Sequence, residues 1–432
     1  MNPAPRGESR QGRGAGLRAG GRLRPGLSLA GVSHSRPPFA LFLIVILAVL
    51  AGMHVYLWRR LVRDPGLAGW WRRGATALLA LLALTPPLGM AGLRRFPDPF
   101  SWILPAVGFT WLGVAFLLFC AVLALDLARV LGSRGARLAA RVRATPDPPP
   151  DPERRRFVAQ ALAGTAVLAT GGAAAFAFRS ATGPAEVTEV AVRLARLPRA
   201  LSGLTIAQIT DLHVGPTIGE REVRRVVDQV NALRPDVVAV TGDLVDGPVR
   251  RLGQAVAHLG RLRARHGVYF VTGNHEYISG AAAWREELRR LGLRVLRNER
   301  VAIGDRGASL DLAGVDDWSA GRFVPGEGPD LARALRDRDP DRSLVLLAHQ
   351  PRGMDEAVRA GVELQISGHT HGGQIAPFSL LVRAVYPYVY GLYAHREGAL
   401  SGSIFVSRGT GYWGPPLRLG APPEIARLVL TP

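Results

Sequence analysis

Up to about Phe178 the chain alternates long apolar runs with arginine-rich connectors, and from about Val187 it alternates short strand-like runs with amphipathic, charged stretches. Four runs in the first part, Ala40 to Trp58, Ala75 to Leu93, Ile103 to Leu127 and Phe157 to Phe178, each approach the roughly 20 residues a helix needs to cross a bilayer. Trp58, Trp70, Trp71 and Trp102 flank them, as interfacial anchors do. The second run carries Pro86 and Pro87, which interrupt a helix, and the fourth is rich in alanine and glycine, so each reads either as a span or as a re-entrant or interfacial segment. The pattern predicts a basic, disordered arm over 1–38 and a membrane region over 39–127 with two to three transmembrane helices. An Arg/Pro-rich connector follows over 128–156, then a final transmembrane helix or export-signal-like anchor over 157–178, and a separate α/β domain over 187–432.

Within that last domain, five strand-like segments end in polar chemistry. Leu204 to Ile209 runs into Asp211-Leu-His213, whose carboxylate and imidazole, two residues apart, leave an extended chain on one side. Asp236 to Thr241 runs into Gly242-Asp243, and Gly267 to Thr272 into Gly273-Asn274-His275-Glu276. The amphipathic stretch Glu220 to Leu233 between the first two reads as a crossover helix, which makes a β-α-β unit. Ser343 to Ala348 ends in His349, and Leu364 to Ser367 in Gly368-His369-Thr370-His371. Five of the ten histidines therefore stand at strand ends, where the ligand crevice of an α/β sheet lies. His34, His54, His258, His266 and His395 have no such setting.

Charge changes this picture little. The net charge is +20, but every basic side chain other than histidine is arginine, much of it in the N-terminal arm and the connectors, and no aromatic-basic nucleic-acid motif accompanies it. By the positive-inside rule, the arginines of Ala128 to Arg156 make that connector cytoplasmic. One further crossing puts the C-terminal domain on the periplasmic or extracellular side of the cytoplasmic membrane. The run Arg154-Arg155-Arg156-Phe157-Val158 also resembles an internal twin-arginine export signal. Cys120, the single cysteine, lies in an apolar run, so neither a disulfide nor a cysteine metal site forms within one chain.

Taken together, the five strand-end motifs resemble the signature of calcineurin-like metallophosphoesterases, over roughly Val187 to the C-terminus including Ser407 to Arg418. Within that superfamily the chain is most similar to bacterial membrane-anchored phosphodiesterases, some of which act on a UDP-diacylglucosamine lipid precursor. The resemblance implies an α/β fold, a four-layer α/β/β/α sandwich preceded here by an α-helical membrane region. It implies two divalent metal ions, one on Asp211, His213 and His371, the other on Asn274, His349 and His369, with Asp243 shared. Such a donor set suits Mn, Fe or Zn. Two ions can share an activated water and clamp phosphoryl oxygens, so phosphodiester or phosphomonoester hydrolysis by a two-metal activated hydroxide is the expected activity. His275, one residue past a ligand, is expected to act as general acid to the leaving oxygen or as stabiliser of developing charge. Lipid-precursor pyrophosphatases commonly have arginine there, which favours ordinary ester hydrolysis. The alternatives are a UDP-diacylglucosamine-type pyrophosphatase, a nuclease and a non-enzymatic membrane sensor. The partners implied are a phosphoester substrate, lipid-linked or soluble, and the membrane, with no nucleic acid.

Overall fold

The computed structural model describes residues 39–95, 100–142, 151–305 and 307–432. The arm expected over 1–38 and residues 143–150 of the connector lie outside the described residues. The chain divides into two units, 1–48 and 49–432, and the described part of the first, 39–48, is helical.

Among the described residues, four helices are long and apolar enough to cross a membrane. They are α1 (Phe39–Trp58), which continues through a π-helical turn over Arg59–Arg63, then α2 (Gly69–Arg95), α3 (Phe100–Val142) and α4 (Pro152–Thr182). Pro86 and Pro87 do not interrupt α2. Proline has no N–H to offer the carbonyl four residues back, but the Thr85 hydroxyl donates to Leu82 O at 2.7 Å and so satisfies the acceptor that Pro86 leaves open. Gly89 and Gly108 then let α2 and α3 pack closely: a Cβ on Gly108 would lie 2.6 Å from Thr85 O. The sequence pattern also ends the third run at Leu127, whereas α3 continues to Val142, because alanine, leucine and arginine dominate the extension and are strong helix formers. Asp151 starts α4, its carboxylate accepting from the N–H groups of Glu153 and Arg154 ahead of Pro152 in the first turn.

The strands of the C-terminal domain are β1 (Glu186–Arg193), β2 (Thr205–Ile209), β3 (Val237–Thr241), β4 (Val268–Val271), β5 (Arg294–Val295), β6 (Glu299–Asp305), β7 (Ala308–Gly314), β8 (Leu344–Leu347), β9 (Leu364–Ser367), β10 (Gly391–Glu397), β11 (Leu400–Val406) and β12 (Glu424–Thr431). They form two six-stranded sheets, ordered β1-β12-β2-β3-β4-β5 and β10-β11-β9-β8-β7-β6. β2, β3 and β4 run parallel, as do β8 and β9.

Alternation along each strand builds the layers. On β8, Val345 and Leu347 enter the core between the sheets with Ile206, Val237, Leu312 and Phe405, whereas Leu344 and Leu346 face outward. The remaining helices are α5 (Glu220–Ala232), α6 (Val249–Val256), α7 (Asn274–Ser279), α8 (Ala281–Arg290), α9 (Leu331–Ala334), α10 (Met354–Arg359) and α11 (Phe378–Val385). Helix α5 buries Val223, Val226, Val227 and Val230, a single stripe at helical spacing, against the outer face of the first sheet beside Leu252, Trp284 and Leu288. Met354, Ala357 and Val358 of α10 cover the second sheet. The result is the four-layer α/β/β/α sandwich the resemblance implies, and both sets of parallel strands end on one rim.

Candidate metal centre and its cleft

The eight residues singled out from sequence meet on that rim. Asp211 and His213 follow β2, Asp243 follows β3, Asn274 and His275 begin α7 just after β4, His349 follows β8, and His369 and His371 follow β9. Their backbones are unusual. Asp211, His213, Asp243, His369 and His371 have φ of 53°, 52°, 50°, 73° and 52°, in the left-handed region that side-chain-bearing residues avoid. Such conformations cost on the order of 1–3 kcal/mol each and persist where the surroundings over-determine them, typically at functional sites.

The side chains form two groups, Asp211 with His213 and His371, and Asp243 with His349 and His369. His213 Nε2 lies 3.1 Å from His371 Nε2, and His349 Nε2 lies 3.2 Å from His369 Nδ1. Asp243 stands between the groups, its Oδ2 3.1 Å from His349 Nε2 and 3.9 Å from His213 Nε2. Each carboxylate is held by the backbone of another loop: Asp211 accepts from His369 N at 2.9 Å, and Asp243 from His275 N at 2.8 Å. Glycine makes this approach possible. A Cβ on Gly368 would collide with Asp211 Oδ2 and Thr210 Oγ1, and one on Gly273 with Asp243 Oδ1. Gly368→Ala is therefore expected to displace Asp211, lowering bound-metal stoichiometry, and to destabilise the fold by about 1–3 kcal/mol as overpacking does, read by metal analysis and thermal unfolding.

The donor set fits divalent cations. Asn274 Oδ1 is buried with no hydrogen-bond partner, which is costly unless something outside the chain supplies one. Burial, reinforced by the neighbouring His349 charge, lowers His369 to about 4, and burial with the charges of Arg418 and His213 holds His371 well below its usual range. Both imidazoles are thus neutral at physiological pH, with lone pairs available for coordination. Burial works against the charge on His349 too, but Asp243 overrides it and raises that group well above its usual range. The Nδ1 of His349 faces Thr241 O at 2.8 Å, which leaves Nε2 pointing into the site.

His275 lies beside these groups at the cleft. Its Nδ1 is 2.6 Å from Asp246 Oδ1, and the same oxygen lies 3.0 Å from His213 Nδ1. Burial alone would favour neutral His275, yet Asp243 and Asp246 outweigh it and raise the group to about 9. Asp246 shows the converse: burial would raise its carboxyl, and His213 and His275 hold it well below the carboxylate range. The sequence reading gave Asp246 no role, although its spacing three residues after Asp243 was visible. Glu276 was also left without one. It is fully buried and accepts from Asp243 N, Leu244 N and Gly273 N at 3.0, 2.7 and 2.6 Å, so it ties the β3 and β4 loops together. Arg418, also fully buried, donates to the carbonyls of His371, Arg408 and Ala421 and braces the β9 loop.

The site floors a cleft of about 660 Å³ whose walls no motif announced. Leu112, Gly113 and Phe116 of α3 form one side, and Phe378, Leu381, Val382 and Val385 of α11 face them, with Trp413 and Pro415 at the mouth. Phe116 meets Phe378 edge-on at 6.3 Å between ring centroids. Gly113 lets α3 approach Pro415 and Leu417, since a Cβ there would lie 2.8 Å from Pro415 Cβ and 2.6 Å from Leu417 Cδ1. Tyr386 closes the end of α11, its hydroxyl 3.0 Å from His369 Nε2.

The other described histidines are satisfied elsewhere. His54 is buried in the helix bundle, accepting from Trp111 Nε1 at 3.0 Å with its Nδ1 2.8 Å from Leu50 O, and His258 pairs with Glu220 at 3.0 Å. His395 groups with Asp355 and Glu397, away from the cleft, with Tyr388 OH 2.6 Å from its Nδ1.

Residues 204–373 match the model of the calcineurin-like phosphoesterase family. A transmembrane protein with metallophosphoesterase domain from Danio rerio is 34% identical over 404 residues, covering 90% of this chain and 89% of its own length. A protein of the same description from Bos taurus is 41% identical over 275 residues, 61% of each chain. An uncharacterised metallophosphoesterase of Helicobacter pylori strain J99 is 39% identical over 248 residues, 57% of this chain and 64% of that protein. With its family match, its near full-length transmembrane relative, its two-sheet sandwich and its four apolar helices, this chain belongs to the calcineurin-like phosphoesterases and is a membrane-associated member of that family.

Proposed function

We propose that the domain hydrolyses a phosphodiester or phosphomonoester carried by a membrane amphiphile, using two divalent cations, Mn, Fe or Zn. Asp211, His213 and His371 would hold one cation and Asn274, His349 and His369 the other, with Asp243 shared. Bound there, the cations supply Lewis-acid charge for the phosphoryl oxygens and acidify a water for attack. His275, kept protonated by Asp243 and oriented by Asp246, delivers a proton to the leaving oxygen.

The depth of the cleft carries the substrate half of this reading. Arg60, Arg63, Arg129 and Arg154 to Arg156 lie at one end of the helix bundle, and the catalytic domain lies toward the other. By the positive-inside rule the arginine end faces the cytoplasm, which favours a periplasmic or extracellular catalytic domain. Phe116 and Gly113 precede Arg129 by roughly 20 and 24 Å of helix at 1.5 Å per residue. They therefore fall within a hydrocarbon core of about 30 Å. Helix α11 has no buried residue and leaves Phe378, Leu380, Leu381 and Val385 exposed beside that wall, as an interfacial helix does. A cleft walled by membrane-level apolar side chains and floored by phosphate chemistry suits a substrate with an apolar tail.

The test is hydrolysis by the purified full-length chain of paired soluble and lipid-anchored phosphomonoesters, phosphodiesters and UDP-lipids, with each metal added back. The lipid member of the preferred pair should have the higher kcat/KM, and Leu381→Asp should reduce that advantage about tenfold, the size of one lost apolar contact, without slowing the soluble substrate. Equal rates on both members of every pair would discard the lipid half of the reading. A lack of turnover with every metal would discard the enzymatic half.

A further inference from the structure

We infer that the basic end of the helix bundle is a binding site for the phosphate headgroup of an anionic phospholipid, separate from the catalytic cleft. A cavity of about 820 Å³ opens there, lined by Arg60, Arg63, Arg129, Arg154, Arg155 and Arg156, with only Asp64 and Asp151 as acidic groups. Both carboxylates are already engaged. Asp64 pairs with Arg60 at 2.8 Å and Arg63 at 3.2 Å, and Asp151 caps α4 through Glu153 N and Arg154 N at 2.9 and 3.1 Å. Arg60 also pairs with Asp126 at 2.7 Å. Arg156 is spent on the turn between α1 and α2, donating to Pro65 O and Gly66 O at 3.2 and 2.9 Å. Arg129, Arg154 and Arg155 have no carboxylate within ion-pair distance among the described residues.

Three guanidiniums around one cavity, without a carboxylate partner among the described residues, make an anion site, and guanidinium geometry favours phosphate oxygens. Their position at the end of the apolar spans is headgroup level. The apolar surface beside the cavity separates a lipid from a free anion. Leu123 and Leu127 of α3 and Phe157 of α4, close in sequence to Arg129 and Arg156, are exposed. The phosphate sits among the arginines while the acyl chains lie against these side chains.

The full-length protein in phosphatidylcholine nanodiscs, with and without phosphatidylglycerol, tests this by native mass spectrometry of the lipids it retains. Phosphatidylglycerol should be retained in strong preference to phosphatidylcholine. At roughly fivefold per surface arginine, the combined change Arg129→Gln, Arg154→Gln and Arg155→Gln should reduce the preference about a hundredfold. Glycerol phosphate, which carries the phosphate without the acyl chains, should compete about tenfold or more weakly than phosphatidylglycerol. Thermal unfolding checks each variant, and if the triple variant is unfolded, Arg154→Gln alone should still show the fivefold loss. Equal retention of the two lipids by the unaltered protein would overturn the proposal. Glycerol phosphate competing as well as phosphatidylglycerol would overturn it in favour of a free-anion site.

Discussion

Asp243→Ala is expected to lose bound metal and to lower turnover by roughly 10³-fold or more, because metal charge at a phosphoryl centre is worth several kcal/mol. The side chain is placed to affect both halves of the site at once, with one oxygen 3.1 Å from His349 and 3.9 Å from His213 and the other accepting from His275 N. Removing it also takes away an anion that raises His275 to about 9. Asp243→Asn separates charge from shape. It fills the same volume, so if the carboxylate's charge holds the metals, its loss should nearly match that of alanine. Metal content by elemental analysis and kcat on one phosphoester report the two quantities independently. An Asp243→Ala protein that kept its activity would refute the two-metal mechanism.

His275→Ala should behave in the opposite way, with metal content near that of the unaltered protein and kcat lower by about 10²–10⁴-fold, the usual range for removing a general acid. The leaving group gives the diagnosis. An ester whose leaving oxygen is already a stable anion, such as a nitrophenolate, needs little proton transfer and should lose much less than an alkyl ester. Asp246→Asn keeps the 2.6 Å contact in outline while weakening the field on the imidazole, so it should show the same leaving-group pattern at smaller amplitude. An identical loss on both esters would assign His275 to binding rather than proton transfer.

The chemistry of the site was readable from sequence because metal sites demand concentrated donors at positions the backbone can bring close. Gly242-Asp243, Gly273-Asn274 and Gly368-His369 announce both the donor and the bare backbone beside it. The sheets were readable for a related reason: strands buried on both faces are continuous apolar runs, as Val237 to Thr241 and Leu344 to Leu347 are. Other features depend on contacts between distant segments, which leave no local periodicity. Nothing around Phe116 indicates that it meets Phe378, and nothing in α11 indicates that its apolar face borders a metal site. Pro86 and Pro87 point locally to a break, and only the Thr85 hydroxyl and the close fit of Gly89 and Gly108 against the partner helix explain why α2 runs on. The left-handed φ at Asp211, His213, Asp243, His369 and His371 was equally silent, since aspartate and histidine advertise no such preference as glycine does.

The contact of Gly113 with Pro415 also bears on how such an enzyme is handled at the bench. Cutting the chain at Gly183 would yield a fragment that keeps every candidate metal ligand, yet it would discard Leu112, Gly113 and Phe116 and leave the cleft open on that flank. Substrate screens on the fragment would then probe a cleft missing one of its walls. The same cut would strip the cover from Ile375 and Leu417, which pack on Leu117 and Ala177, and invite the fragments to stick to one another. One wall of the cleft belongs to the helix bundle, so the bundle has to be present when selectivity is measured.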